Sequence, residues 1–145
     1  MRRMKAAGTL VIALAAAFLF LHFGSVSAQK TKGKTRAAAT KYLMRGIVRP
    51  NCAGIGTLLK GDGPSDDKAW DTLACHAACL NEISYALMDD GRCPDGVWAK
   101  AAKDTLRGCS AAVLAAAQKK DLEQTRATFK ALTQSCAACH KAHKK

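Results

Sequence analysis

The sequence predicts an all-α domain, an antiparallel up-down-up-down four-helix bundle. Three observations predict it. No stretch alternates apolar and polar residues as a half-buried strand would, and four stretches of similar length repeat apolar residues at spacings of three, four and seven. The breaks between them are short and mostly carry glycine, proline or aspartate. Helices of about equal length joined by short turns pack most simply against their sequence neighbours in alternating directions.

Residues 1–28 stand apart from that pattern. Arg2, Arg3 and Lys5 open the chain, Leu10 to Leu21 is an apolar run, and Val26-Ser27-Ala28 has the small residues of a cleavage site. A secretory signal peptide cleaved after Ala28 is expected, in preference to an uncleaved membrane anchor, with a periplasmic product. Of 145 residues, 117 then remain, and loss of three basic residues lowers the formal charge from +12 to +9. One domain of this size can hold a single core. Its basic balance favours an acidic partner protein or association with an anionic membrane surface. Nucleic acid is not an expected partner of an exported chain.

Residues 29–35 contain no large apolar side chain and read as a flexible basic arm; the domain follows over 36–145. The first helical pattern, from Arg36 to Lys60, is interrupted by Pro50, which cannot donate to the carbonyl of Gly46, so a kink or break is expected there. Gly61 to Ser65 is a turn, after which Ser65 or Asp66 can cap a second helix running to about Asp89. Gly91 to Gly96 is the next break. A third helix, Val97 to Lys119, is rich in alanine, whose small side chains permit close packing or leave space beside a bound group. Asp121 opens the last helix.

That last helix carries the chemistry. In Cys136-Ala137-Ala138-Cys139-His140, two cysteines three apart with a histidine directly after the second have the spacing of covalent c-type haem attachment. The two thiols can reach the two vinyl groups of one porphyrin, and the imidazole can turn under the ring to bind its iron. One haem c is expected. Cys75-His76-Ala77-Ala78-Cys79 has the histidine in the wrong order for a second one. Cys75 and His76 also point about 100° apart on a helix, which argues against a zinc or copper site there.

An exported four-helix bundle with this motif near its carboxyl end, and a basic residue four past the histidine (here Lys144), resembles class II cytochrome c, the cytochrome c prime family. The resemblance spans the chain from about Thr40, although its specific part is the terminal motif. It implies that the first helix supplies the residue facing the far side of the iron. Counted from the turn at Gly61, Met44 lies roughly 26 Å down the first helix, level with the motif on the last. Met44 is therefore the expected distal ligand, with Met88 its competitor. In the family, methionine there goes with low-spin iron and electron transfer, and a residue that does not ligate goes with binding of small gases such as NO or CO. Trp98 should also lie near the ring as packing. The resemblance further allows for a homodimer.

Electron transfer with an acidic redox partner is the expected function, and a gas-binding haem protein is the alternative. Nothing in the chain resembles a catalytic set for an enzyme. Lys30, Lys32, Lys34, Lys41, His143, Lys144 and Lys145 are expected to form a cationic docking rim at the haem end. Five cysteines lie outside the motif. Matching heights across the turns suggest disulfides Cys52 to Cys75 and Cys79 to Cys109, with Cys93 left over; buried free thiols are the alternative.

Overall fold

The computed structural model describes residues 28–144. Most of the expected leader, and Lys145, lie outside them. The described residues are all-α, with four helical runs consistent with a helix bundle and one isolated bridge, Lys32 with Ala39. We name the runs α1 (40–58), α2 (Asp67–Met88), α3 (96–118) and α4 (Leu122–His143). None is long and apolar enough to cross a membrane.

Three runs start on an aspartate in extended conformation, as expected at Asp66 and Asp121 and in addition at Asp95. Asp66 Oδ1 accepts from the Ala69 N–H at 2.7 Å, Asp95 Oδ1 from Trp98 at 2.9 Å and Asp121 Oδ1 from Gln124 at 2.9 Å. Each bond satisfies a donor that a helix start leaves without a partner, worth about 1 kcal/mol. The turns close with left-handed residues, among them Gly61, Gly63 and Gly91, and also Asp90 and Lys120.

α1 shows what Pro50 does. The run does not break. Its first turn, Thr40–Leu43, passes into a π-helical stretch, Met44–Val48, before α-helix resumes at Arg49–Leu58. The Arg49 N–H reaches the Met44 carbonyl, five residues back. α3 contains a second π stretch, Lys100–Arg107, between Gly96–Ala99 and Gly108–Gln118.

α2 is the central element, packed against both α1 and α3, while α3 also packs on α4. Its inward stripe of Leu73, Ala77, Leu80 and Leu87 follows the helical period and is no more than 1% exposed. Each of those leucines contributes about 1.5–3 kcal/mol by leaving water.

The segment before α1 is held against the α2–α3 turn. Lys34 N–H donates to the Asp90 carbonyl at 2.8 Å, and the Asp90 carboxylate accepts from the N–H groups of Thr35 (2.8 Å) and Arg36 (2.9 Å). Arg92, buried, donates to the Ala38 carbonyl at 3.0 Å and faces Asp90 at 3.6 Å.

The two expected disulfides are absent: none of the cysteines among the described residues is disulfide-bonded. The side chains that face across the seams are others. The α1–α2 seam runs through His76, which meets Asn51 and Gly54, so Cys75 one residue earlier is swung to the exposed side. Cys52 is half-buried, with Cys136 of α4 near enough to influence its ionisation. Between α2 and α3 the seam runs through Asn81 and Ser84, which bond Arg107, and this leaves Cys79 exposed while Cys109 packs on the core.

Candidate functional site

Met44 begins the π stretch of α1, six residues before Pro50. It lines a cavity, open to solvent, to which all four helices contribute. Met44 and Val48 come from α1, Leu87 from α2, Trp98, Ala101, Ala102 and Leu106 from α3, and Cys136, Cys139 and His140 from α4. Four of the residues singled out in the sequence, Met44, Cys136, Cys139 and His140, therefore share one apolar space.

Both π stretches border this cavity, Met44 and Val48 in one and Ala101, Ala102 and Leu106 in the other. Such turns occur disproportionately at functional sites because they displace side chains from the α register. Ala101 and Ala102 keep the α3 wall low. Trp98, only 3% exposed, closes one side and is anchored by its Nε1–H to the Leu87 carbonyl at 2.8 Å. The edge of its ring meets His143, with centroids 5.5 Å apart.

On α4 the motif residues differ in exposure. Cys139 is buried, Cys136 half-buried and His140 exposed. Burial raises the Cys139 thiol pKa, and the neighbouring Cys136 and Asp95 raise it further. Burial, and secondarily Cys136, pushes Cys52 up to about 11. These thiols are protonated at neutral pH. Cys136 Sγ lies 3.3 Å from the Leu132 carbonyl of its own helix.

Searches of known protein families, characterised proteins and solved structures give no match for this chain. The site is thus described by its own geometry.

Trp98, expected near the ring, lines the cavity too, and the remaining singled-out residues fall elsewhere. Lys144 is exposed just beyond α4, its N–H bonded to the His140 carbonyl at 2.9 Å, and does not line the cavity. Met88 packs against the core without lining the cavity. His143, expected on a cationic rim, is instead 6% exposed, with Nε2 3.3 Å from Asp95 Oδ1. Among the described residues, no group of three or more His, Cys, Asp or Glu is placed to hold a bare metal ion. Sequence reasoning missed Val48, Leu87 and Leu106, which look like ordinary core positions. The alanine content of α3 was the available signal for Ala101 and Ala102.

The residues present fit a covalently tethered planar cofactor. Two thiols and an imidazole from one helix border an apolar cavity, and a thioether from another helix borders the same space.

Proposed function

We propose that this chain is an exported mono-haem c-type cytochrome acting in electron transfer, of the class II type that its sequence resembles. The fold would then be the antiparallel up-down-up-down bundle, with which the short connections and the seams between sequence neighbours agree. One observation carries the reading: Met44 of α1 and the Cys136, Cys139 and His140 set of α4 line a single cavity.

Bound there, haem would supply a one-electron iron couple. Cys136 and Cys139 would tether the porphyrin as thioethers, and His140 would offer its imidazole to the iron. Met44, from another helix, would offer its sulfur, a soft ligand that raises the potential. Leu87, Ala102, Leu106 and Trp98 would pack apolar side chains against the ring. Exposed Lys30, Lys32, Lys34 and Lys144 would steer an acidic redox partner. Weakening of the reaction with added salt is the expected signature.

The test is an optical spectrum of the matured protein, oxidised and reduced, with and without carbon monoxide. A low-spin reduced spectrum, a sulfur-to-iron charge-transfer band when oxidised, and little response to the gas are expected. A high-spin spectrum that shifts on adding carbon monoxide would replace this reading with that of a gas-binding haem protein.

A further inference from the structure

We infer that His76, acting through Asn51, is a positioning residue for Met44, an inference that rests on the reading of Met44 as an iron ligand. His76 is absent from the cavity. Its effect is exerted along the α1–α2 seam.

Pro50 has no N–H to give the Gly46 carbonyl, and α1 answers with the π stretch that holds Met44. A π turn contains one residue more than the α-helix would place there. Unwinding it to α geometry would rotate the residues on its amino-terminal side by about 100° relative to α2. Met44 would then turn away from the cavity. Something has to favour the π register, and Asn51 does so by donating its Nδ2–H to the Ile47 carbonyl, inside the stretch, at 2.7 Å.

Asn51 is in turn fixed from α2. With its nitrogen committed to Ile47, its Oδ1 is an acceptor, and His76 Nδ1 lies 2.8 Å from it. Nδ1 must therefore carry the hydrogen, in the neutral ring as in the charged one. The imidazole is held on its far side as well. A β-carbon at Gly54 would collide with Nε2, Cδ2 and Cε1 of His76, so the ring fills the space that glycine leaves.

The pin and the cavity share one seam. Asn51 and Gly54, three apart in the α-helical part of α1, both meet His76, and Ile47, four before Asn51, is where the pin enters the π stretch. His76, Leu80 and Leu87 are spaced four and seven apart on α2, and Leu87 lines the cavity with Met44. Asn51 is seven residues from Met44, roughly 10 Å along the axis. The other π stretch provides an internal comparison: the Arg107 carbonyl at its end accepts from Asn81 Nδ2 at 2.8 Å, with no involvement of Met44.

The test compares the matured holoprotein with His76→Phe, which keeps a ring and removes the donor, and with His76→Gln, which restores one. Asn51→Leu removes the pin from the other side and serves if His76→Phe does not fold. Asn81→Leu is the control. The readouts are the sulfur-to-iron band, carbon monoxide affinity of the reduced protein, and amide hydrogen exchange over residues 45–51.

His76→Phe and Asn51→Leu should lose most of the band, bind carbon monoxide at least tenfold more tightly and exchange at least tenfold faster over 45–51. His76→Gln should recover the band in part, and Asn81→Leu should keep it. If the pin variants keep the band, the gas affinity and the exchange rates of the parent, the inference is overturned. A parent protein without the band would overturn Met44 ligation instead. The exchange rates would still decide whether His76 holds the π stretch, since unchanged rates remove the pin whatever the iron binds.

Discussion

The imidazole of His76 occupies the space that a side chain at Gly54 would need. In most helix interiors glycine to alanine is stabilising, because alanine is favoured by about 0.8–1 kcal/mol. At Gly54 the added methyl must displace a ring that is also bonded to Asn51, and overpacking of this kind costs about 1–3 kcal/mol. Gly54→Ala should therefore be net destabilising by about 1 kcal/mol. Gly56 lies one half-turn on, where a β-carbon would meet Phe129 at 3.6 Å, an ordinary contact. Gly56→Ala should stabilise by about 0.4–1 kcal/mol. Urea unfolding of the two variants checks the contrast, and equal effects would mean that His76 gives way freely.

Thiol labelling separates the cysteines by exposure and ionisation. Cys75 and Cys79 are exposed and unbridged, so in the unreduced protein at pH 8 both should react with iodoacetamide first. Cys52 should lag well behind them. With its pKa pushed to about 11, only about one thiol in a thousand is ionised at pH 8, and its rate should rise about tenfold per pH unit until that value is reached. Because this folded value lies above the ordinary 9.0, the neutral thiol favours the fold below pH 9, and that contribution is lost as pH climbs towards 11. Intact mass with peptide mapping reads both effects. Unreactive Cys75 and Cys79 in a protein lighter by the mass of four hydrogens would restore the two bridges.

The starts at Asp66 and Asp121 were legible because each rests on local chemistry, and α2 also on its apolar spacing, whereas the Asp95 cap was not singled out and α1, expected from Arg36, begins at Thr40. Met44 and the Cys136 to His140 set could be brought to one level by counting residues from a turn. Angular position could not be obtained that way. The disulfide pairs failed because His76 and Asn81, rather than Cys75 and Cys79, face the neighbouring helices. Pro50 announced a disturbance in α1, but its form as a π turn depends on Asn51 and on a histidine 25 residues further along. The second π stretch, over Lys100–Arg107, contains neither proline nor glycine and gave no warning.

Trp98 supports the cavity wall through one hydrogen bond and a large buried ring. Trp98→Phe keeps most of the apolar contact but leaves the Leu87 carbonyl without its 2.8 Å donor, a loss of about 1–3 kcal/mol. Trp98→Ala also empties part of the core and should cost about 3–5 kcal/mol. Thermal unfolding should rank the parent above Trp98→Phe and that variant above Trp98→Ala. Near-equal stability of the parent and Trp98→Phe would mean that water satisfies the Leu87 carbonyl.

Asp90 gives the basic segment before α1 a dependence on acid. Burial alone would raise its pKa. Donation from the Thr35 and Arg36 N–H groups and the Thr35 hydroxyl, together with the charge of Arg92, outweighs this and brings the carboxyl below the ordinary 3.8. A depressed folded value means that the contribution to stability is intact above the unfolded pKa and disappears as pH falls through the folded one. Amide exchange at residues 34–36, corrected for the intrinsic effect of pH, should thus show constant protection from pH 7 to 5 and a loss only below about pH 4. Asp90→Asn tests the same clip at neutral pH. Asparagine tolerates the left-handed conformation at φ +61°, so the substitution removes the charge without adding backbone strain. Its amides at 34–36 should exchange at least tenfold faster than the parent's, and trypsin should cut after Lys34 sooner. Protection and cleavage unchanged in Asp90→Asn would show that the Asp90 carbonyl, through its 2.8 Å bond from Lys34, holds the segment without help from the carboxylate.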